Sequence, residues 1–244
     1  LQKQRSLMEK VVFLLTLLAC GSGEQDLSGK ILVFPEESKA NYVKLVPKKE
    51  APLRALTACF HYASDIQRGY CLFSLATEEQ DNAFLIFKNK LGEYEVITNS
   101  KSIFFYGVPE QNDLQRWTHL CVTWESDSGL VQLWVNGKES IKKGGSRSIP
   151  ISGKPFIVLG QEQDSYGGSF DKSQCLVGQM SNVHMWDRVL SPCEIQDVHL
   201  GTGFDPGNIL SWKSMSFEIT GYVILNGMTD KNKCHTSSLD PTKV

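Results

Sequence analysis

Short segments in which apolar and polar residues alternate dominate the chain beyond Gly23 and predict an all-β fold. Residues 131–135 and 182–186 alternate in this way, as strands with one buried face do. Asn136-Gly137 follows the first of these strands and favours a two-residue hairpin, because both residues tolerate a positive φ. The apolar run 156–159 leads directly into an acidic segment, which places that segment at the rim of a sheet.

One short helix is predicted late in the chain. Residues 191–194 are Ser-Pro-Cys-Glu, which suits an N-cap, a first-turn proline and a capping box, and apolar residues follow at helical spacing until Gly201. The chain has 244 residues, a length at which all-β proteins commonly form one domain. We therefore expect one domain over residues 24–230, followed by a polar C-terminal tail over 231–244.

The N-terminal residues have the pattern of a secretory signal peptide. Lys10 precedes the apolar run 11–19, and the small residues that follow this run suit a cleavage site. The run is too short to span a bilayer. We expect Met8 to be the initiator, residues 1–23 to be removed, and the mature protein to be secreted and extracellular, with no transmembrane segment.

Charge and cysteine spacing argue against nucleic-acid binding and against a zinc ribbon. The chain has 25 Lys and Arg residues against 27 Asp and Glu residues, a net charge of −2, so no positive field favours nucleic acid as a partner. Export permits disulfides, and no Cys-x-x-Cys pair indicates a zinc ribbon. The mature chain keeps cysteines at residues 59, 71, 121, 175, 193 and 234, and their spacing leaves the pairing open.

Two separated segments carry the residue types that calcium prefers. Residues 160–174 contain three carboxylates, Glu162, Asp164 and Asp171, around a Gly-Gly bend, and Asp81-Asn82 precedes an apolar strand. Calcium takes about six to eight oxygen ligands at about 2.3–2.6 Å. No short loop supplies that many oxygens, so a calcium site requires the two segments to converge.

Convergence would bring four negative charges together, enough to balance two calcium ions bridged by shared carboxylates. Asn82, Gln174 and the main-chain carbonyl of Gln163 would add neutral oxygens. Coordination positions left open would suit a ligand oxygen such as that of phosphate. On residue types alone, the competing interpretation is a solvated acidic hairpin. The spacing is not that of an EF-hand.

Residues 119–126, His-Leu-Cys-Val-Thr-Trp-Glu-Ser, match the pentraxin signature His-x-Cys-x-Ser/Thr-Trp-x-Ser/Thr at every fixed position. The chain therefore resembles a short pentraxin, over roughly residues 24–225. This resemblance favours the calcium interpretation over the acidic hairpin. Further matching stretches are residues 32–35, 68–70, 80–82, 160–168, 185–187 and 190–192.

The resemblance implies a flattened antiparallel jelly-roll sandwich of the concanavalin or lectin type, with one short helix and protomers assembled as a pentamer or decamer. It implies two calcium ions in each protomer, on one face. The first ion would be bound by Asp81, Asn82, Glu162, the carbonyl of Gln163 and Asp164. The second ion would be bound by Glu162, Asp164, Asp171 and Gln174.

The resemblance also implies the function of a secreted pattern-recognition protein of innate immunity. Such proteins bind phosphocholine, phosphoethanolamine or acidic saccharides on microbes and cell debris through calcium. An apolar ligand pocket would correspond to Leu85, Phe87 and Ile97, and the first two share a face because they lie two apart on a strand. The alternative for these three side chains is ordinary core packing.

The predicted ligand preference follows from positions at which the chain differs from C-reactive proteins. C-reactive proteins place a Glu to meet the choline cation, whereas residues 101–103 here are Lys-Ser-Ile and lack a carboxylate. Asp171 stands where C-reactive proteins carry Glu and serum amyloid P components carry Asp. The missing carboxylate argues against a preference for phosphocholine. Residues 91–94, Leu-Gly-Glu-Tyr, and Asp171 both favour the serum amyloid P type, which prefers phosphoethanolamine and acidic sugars.

The family's intradomain disulfide corresponds to a pair between Cys59 and Cys121. Cys71 and Cys175 occupy predicted strand positions and are expected to be buried free thiols. Cys193 on the predicted helix and Cys234 in the tail would be able to pair within a chain or between chains.

Two other function classes are compatible with a β-sandwich. Jelly-roll glycosidases carry Glu-x-Asp-x-x-Glu on a strand, and residues 162–167 begin that pattern but have Gly167 in place of the last Glu. The five histidines show neither metal spacing nor a neighbouring nucleophile, so we expect no enzyme activity. A laminin-G-like adhesion module would share the sandwich and a calcium rim, but the signature at 119–126 argues against it.

Overall fold

The computed structural model of the protein describes residues 23–50, 52–110 and 117–228. These residues form a sandwich of two antiparallel β-sheets with one α-helix, which confirms the predicted fold class. The expectations for the signal peptide, the C-terminal tail and Cys234 concern residues outside these ranges. Within them, no helix is long and apolar enough to cross a membrane.

The strands are numbered here in chain order. They are β1 (Lys30–Phe34), β2 (Tyr42–Val46), β3 (Ala55–Ala63), β4 (Tyr70–Thr77), β5 (Gln80–Lys90), β6 (Glu93–Thr98), β7 (Lys101–Phe105), β8 (Thr118–Glu125), β9 (Leu130–Val135), β10 (Lys138–Glu139), β11 (Lys143–Gly144), β12 (Phe156–Leu159), β13 (Gly178–Trp186), β14 (Leu210–Ser211), β15 (Ser216–Thr220) and β16 (Ile224–Gly227). A 3₁₀ turn spans Lys172–Gln174, and helix α1 spans Pro192–Leu200.

The strand order explains how distant segments of the chain become neighbours. The larger sheet has the order β10-β9-β8-β3-β13-β1-β16, with β11 beside β9 and β14 beside β13. The smaller sheet has the order β15-β2-β12-β4-β5-β6-β7. Strand β4 therefore lies between β12, which leads into the acidic segment, and β5, which begins next to Asp81. The two predicted calcium-binding segments thus belong to one sheet.

The core lies between the two sheets and is filled by aromatic and branched side chains. Phe60 on β3 stacks on Phe73 on β4 with ring centroids 6.4 Å apart, and this contact joins the larger sheet to the smaller one. Phe73 in turn meets the edge of Phe84 on β5 at 6.1 Å. Burial of each such side chain stabilises the fold by about 1.5–3 kcal/mol, so these contacts hold the sheets face to face.

Two local predictions are confirmed by the backbone. Asn136 and Gly137 join β9 to β10 with φ values of 49° and 75°, as a two-residue hairpin of this type requires. Helix α1 begins with the predicted capping box between Ser191 and Glu194 and ends at Gly201, which adopts the left-handed conformation at φ 70°.

Helix α1 covers the outer face of the larger sheet. Its buried residues, Ile195 and Val198, belong to a small apolar cluster with Trp134, Trp186 and the disulfide between Cys59 and Cys121. This disulfide joins directly opposite positions on β3 and β8, and it confirms the pairing that the family resemblance implies.

The other described cysteines are free. Cys71 and Cys175 are buried free thiols, as expected, and Cys193 is exposed on α1. The expectation of a strand position is wrong for Cys175, which lies directly after the 3₁₀ turn and donates its backbone N–H back to Lys172. The acidic segment therefore ends in a turn and not in an extended strand.

Removal of the disulfide should lower stability strongly. The bond closes a loop with a sequence separation of 62 residues, so the chain-entropy model predicts a loss of about 4 kcal/mol in the free energy of unfolding for the Cys59→Ala, Cys121→Ala double variant. Urea denaturation measures this loss. Cys193→Ala, which removes an exposed free thiol, is the control that should leave the midpoint unchanged. An unchanged midpoint in the double variant would contradict the expectation.

Acid should destabilise the protein below about pH 6.5, the pKa of histidine in an unfolded chain. The pKa of His61 and of His184 is lowered to about 4 and that of His119 to about 2, chiefly by burial and in smaller part by the charges of nearby histidines or Lys213. The unfolded chain therefore binds protons that the folded protein does not. Each histidine should remove up to about 1.4 kcal/mol per pH unit as the pH falls towards its folded pKa.

This pH dependence is best measured by urea denaturation in EDTA at about pH 7, 6 and 5. The Glu162→Gln background removes a buried carboxyl whose pKa is raised into the same range and which would contribute with the opposite sign. Adding His184→Gln should make the loss of stability with falling pH shallower. A midpoint that does not fall between pH 7 and 5 would disprove the expectation.

Candidate functional site

The acidic loop, residues 160–174, folds back over the outer face of the smaller sheet. At its start Gly160 has φ 88°, and a Cβ there would lie 2.4 Å from the ring of Phe34, so only glycine fits this turn. The Leu176 N–H donates to the Gly160 carbonyl at 3.0 Å and closes the neck of the loop. The loop thus covers the sheet, whereas the sequence alone predicts only a position at its rim.

Gln163 anchors the acidic loop to the sheet. Its side chain is fully buried, and its Nε2 donates to the Ser74 carbonyl at 3.2 Å and to the Phe156 carbonyl at 3.0 Å. Its Oε1 accepts from the Gly167 N–H at 2.9 Å, and its own N–H donates to Ser74 Oγ at 3.3 Å. The amide side chain is therefore engaged within the protein, which agrees with a predicted ligand role for its main-chain carbonyl alone.

Glu162 is the electrostatic centre of the site. It is only 8% exposed, and burial is the largest of the causes that raise its pKa to about 7. The remaining causes are the negative charges of Asp164, Glu95, Asp81 and Asp171, in that order. The structure therefore brings Asp81, Asp164 and Asp171 close enough to Glu162 for their charges to act on it, although they come from two separate segments of the chain.

Two amide oxygens at the site lack a hydrogen-bond partner among the described residues. Asn82 Oδ1, on β5, and Gln174 Oε1, at the end of the 3₁₀ turn, are both buried and unpartnered. A buried polar atom of this kind is costly unless a ligand, ion or water satisfies it. Asp171 caps the same turn by accepting from the Ser173 N–H at 2.9 Å, which lowers the pKa of its carboxyl.

This set of donors fits calcium. The site offers carboxylate, amide and main-chain oxygens, which are the hard ligands that calcium selects. It also places further negative charges near the buried Glu162, and it contains two oxygens without a partner among the described residues. A divalent cation would relieve both conditions at once.

The predicted pocket residues lie on the same outer face as the acidic loop. Leu85 on β5 lies opposite Ile97 on β6, and neither belongs to the core cluster between the sheets. Phe87 also faces outwards, whereas the intervening Ile86 faces the core. Leu85 is buried, while Phe87 and Ile97 are partly exposed. This placement differs from ordinary core packing, the alternative that the sequence leaves open.

Glu95 is a residue of this site that sequence reasoning missed. It lies on β6 directly opposite Phe87, on the outer face, and its charge acts on Glu162 more strongly than that of Asp81 does. The hairpin alone would not have found it: the pairing of Lys90 with Glu93 predicts residue 95 opposite residue 88, and a bulge between Lys88 and Lys90 shifts the register so that Glu95 lies opposite Phe87.

Comparisons of sequence agree with the signature. The sequence model of the Pentaxin (pentraxin) family matches residues 30–227. The serum amyloid P-component of Mus musculus is 43% identical over 210 residues, covering 86% of this chain and 92% of the relative. That of Homo sapiens is 42% identical over 219 residues, covering 88% and 94%. The female protein of Nothocricetulus migratorius is 42% identical over 221 residues, covering 89% and 94%.

Comparisons of structure point the same way. The crystal structure of the heptameric SAP-like pentraxin from Limulus polyphemus superposes with a TM-score of 0.75 at 25% identity, covering 83% of this chain and 96% of that chain. Mouse laminin α1 domains LG4-5 superpose with a TM-score of 0.53 at 10% identity, covering 79% of this chain and 46% of that chain, which shows a common fold alone.

The pentraxin relatives support a role in pattern recognition. With a family match that spans nearly all of the described sandwich, the chain belongs to the pentraxin family and is a binding protein, not an enzyme.

Proposed function

We propose that this protein is secreted and recognises phosphorylated or acidic ligands on microbes and cell debris, in a calcium-dependent manner, as part of innate immunity. The observation that carries the proposal is the convergence of four predicted carboxylates and two unpartnered amide oxygens on one outer face. Pentraxins as a family bind calcium, and serum amyloid P-components are among the relatives of this chain. The domain responsible would be residues 24–230.

Two calcium ions in each protomer suit the charge of the site. Four carboxylates, including the buried Glu162, balance two divalent ions, and carboxylates shared between the ions would hold them side by side. The first ion would be bound by Asp81, Asn82, Glu162, the carbonyl of Gln163 and Asp164. The second ion would be bound by Glu162, Asp164, Asp171 and Gln174.

The ligand would contact both the ions and the neighbouring face of the smaller sheet. A phosphate or carboxylate of the ligand would fill coordination positions that the protein leaves open, while Leu85, Phe87 and Ile97 contact its organic part. Their location beside the acidic loop and outside the core supports this arrangement. The chemistry is capture without covalent change.

Glu95 would select among such ligands. A carboxylate opposite Phe87 favours a ligand whose phosphate is followed by an ammonium group, because opposite charges attract across the pocket. Residues 101–103 lack a carboxylate, so this charge comes from a different strand position than in C-reactive proteins. The primary ammonium of phosphoethanolamine would also donate hydrogen bonds to a carboxylate, which the quaternary ammonium of phosphocholine lacks, so we propose phosphoethanolamine as the preferred head group.

A ring of protomers would multiply these contacts. The SAP-like pentraxin of Limulus polyphemus is heptameric, which supports a homo-oligomer for this chain, and the family resemblance favours a pentamer or decamer. Sites repeated on one face of a ring gain avidity only on a surface that repeats the ligand. Microbial surfaces and cell debris meet that condition.

Glu162→Gln should weaken calcium binding at both positions, because the residue would be shared between the ions. We expect the calcium affinity to fall by more than about tenfold, which corresponds to about 1.4 kcal/mol, in isothermal titration. Glu218→Gln, which neutralises an exposed carboxylate on β15, is the matched control. Calcium affinity that stays the same in the Glu162 variant would refute the bridging role.

The proposed function is tested directly on immobilised phosphoethanolamine in millimolar calcium. Retention that a chelator releases, and that free phosphocholine displaces poorly, is the expected result. Absence of any chelator-sensitive retention on phosphoethanolamine or acidic polysaccharide would overturn the proposed function.

Glu95→Gln should weaken binding of phosphoethanolamine by about fivefold, as expected for loss of one partly exposed charge pair worth about 1 kcal/mol. Binding of inorganic phosphate, which carries no ammonium group, should stay the same. Glu93→Gln, two residues earlier on β6 and paired with Lys90, is the matched control. Equal losses for phosphoethanolamine and phosphate in the Glu95 variant would show that the residue does not select the cation.

A further inference from the structure

The acidic loop is held to the rest of the protein at two points, by different side chains. Gln163 holds its first part through the buried hydrogen bonds to the smaller sheet. Arg68, in the connection between β3 and β4, contacts its last part, directly after the 3₁₀ turn Lys172–Gln174. That turn carries Asp171 as its cap and Gln174 as its last residue. Arg68 therefore lies beside two of the ligands proposed for the second calcium ion.

The guanidinium of Arg68 makes five hydrogen bonds, one for each of its N–H groups. Nη1 donates to the main-chain carbonyls of Cys175 at 2.8 Å and of Gly69 at 2.9 Å. Nε and Nη2 donate to Glu37 Oε1 at 3.1 Å and 3.0 Å, and Nη2 also donates to Cys175 Sγ at 3.5 Å. A planar fork of donors fits this fixed set of acceptors, and a lysine ammonium with three donors does not reproduce it.

Glu37 links Arg68 to the beginning of the same turn. Its second oxygen, Oε2, lies 3.6 Å from Lys172 Nζ, so one carboxylate pairs with both cations. Glu37 and Lys172 are exposed, and ion pairs of this kind contribute little. The main restraint on the turn is therefore the charge-assisted hydrogen bond from Arg68 to the Cys175 carbonyl, which is shorter and partly buried.

A fixed position of Cys175 also fixes the two proposed ligands. Cys175 donates its N–H back to the Lys172 carbonyl at 3.5 Å, and Gln174 donates its N–H to the Asp171 carbonyl at 3.0 Å. The turn has only three residues, so a shift of the Cys175 peptide group moves both Gln174 and Asp171. A binding site requires its ligands to be held to within about 0.5 Å.

The positive charge of Arg68 has the opposite effect on a cation nearby. The pKa of Asp171 is lowered first by its hydrogen bonds with Ser173 and, in smaller part, by the positive charges of Lys39 and Arg68. Both charges therefore lie close enough to repel a calcium ion bound to Asp171. Loss of the Arg68 charge would strengthen calcium binding, whereas loss of its hydrogen bonds would weaken it. Because the two effects differ in sign, substitution of Arg68 separates them.

We propose that Arg68 is a positioning residue for the second calcium ion, which it never touches. It acts through the Cys175 carbonyl, which holds the turn that carries Asp171 and Gln174. This inference rests on the two-ion site proposed above. The ligands of the first ion do not depend on Arg68, because they lie on β5 and on the part of the loop that Gln163 holds. The affinity for the second ion is therefore set separately from that for the first.

Isothermal titration of calcium into Arg68→Gln and Arg68→Lys tests this role. Both variants should bind the second ion about tenfold more weakly, as is typical for loss of a group that orients a metal ligand, and should bind the first ion normally. Asp171→Asn, which alters a proposed ligand of the second ion only, identifies the second binding step. Lys39→Gln removes an exposed positive charge that also acts on Asp171; it is the matched control and should not weaken calcium binding.

Hydrogen exchange in EDTA tests the same contact without calcium, with circular dichroism to verify the fold of each variant. The amides of residues 174–176 should exchange faster in both Arg68 variants, because their hydrogen bonds depend on the position of the turn. The Gly167 amide, which Gln163 holds, should exchange as in the parent.

The outcomes separate this inference from the proposed function. A parent protein that binds no calcium would overturn both. A parent that binds two ions, with an unchanged second affinity in both Arg68 variants, would overturn the inference alone. So would parent-like binding in Arg68→Lys with tighter binding in Arg68→Gln, because only the charge would then matter. Weaker binding with parent-like exchange at residues 174–176 would overturn it too, because Arg68 would not act through the turn.

Discussion

The alternation of side chains along each strand governs how the sandwich packs and what its outer faces present. Successive residues of a strand point to opposite faces, so each strand of a two-sheet sandwich contributes one set to the core and the other to an outer face. On β3, Phe60 and Tyr62 fill the core, while Cys59 and His61 face helix α1. A slip of one residue would exchange the two sets, and the disulfide to β8 opposes such a slip.

In the acidic loop, hydrogen bonds of one buried side chain hold the carboxylates in place although their like charges oppose the arrangement. Burial and, after it, the like charges of the neighbouring carboxylates raise the pKa of Glu162, and these charges oppose the convergence of the two segments. The buried Gln163 side chain holds the loop in place through hydrogen bonds to Ser74, Phe156 and Gly167, each with a net value of about 1 kcal/mol. The buried, neutral amide of Gln163 therefore fixes the position of the loop, which the charged carboxylates beside it would not do.

The two outer faces of the sandwich offer different chemistry because different elements cover them. A loop rich in carboxylates covers the smaller sheet and presents hard oxygen donors. Helix α1 covers the larger sheet and excludes water from His119, whose ring lies beside that of His199. The shared core keeps the two faces apart.

The elements whose signals are local could be predicted from the order of residues in the chain. The hairpin at Asn136-Gly137, the capped helix at 191–201 and the apolar strands follow from turn chemistry and periodicity. The pentraxin signature added the fold, the disulfide and the set of proposed calcium ligands by resemblance. Long-range packing was needed to bring the acidic loop over the sheet, Glu95 opposite Phe87, and three histidines together. These contacts depend on strand order, register and helix docking, which join residues far apart in the chain and leave no trace in local periodicity.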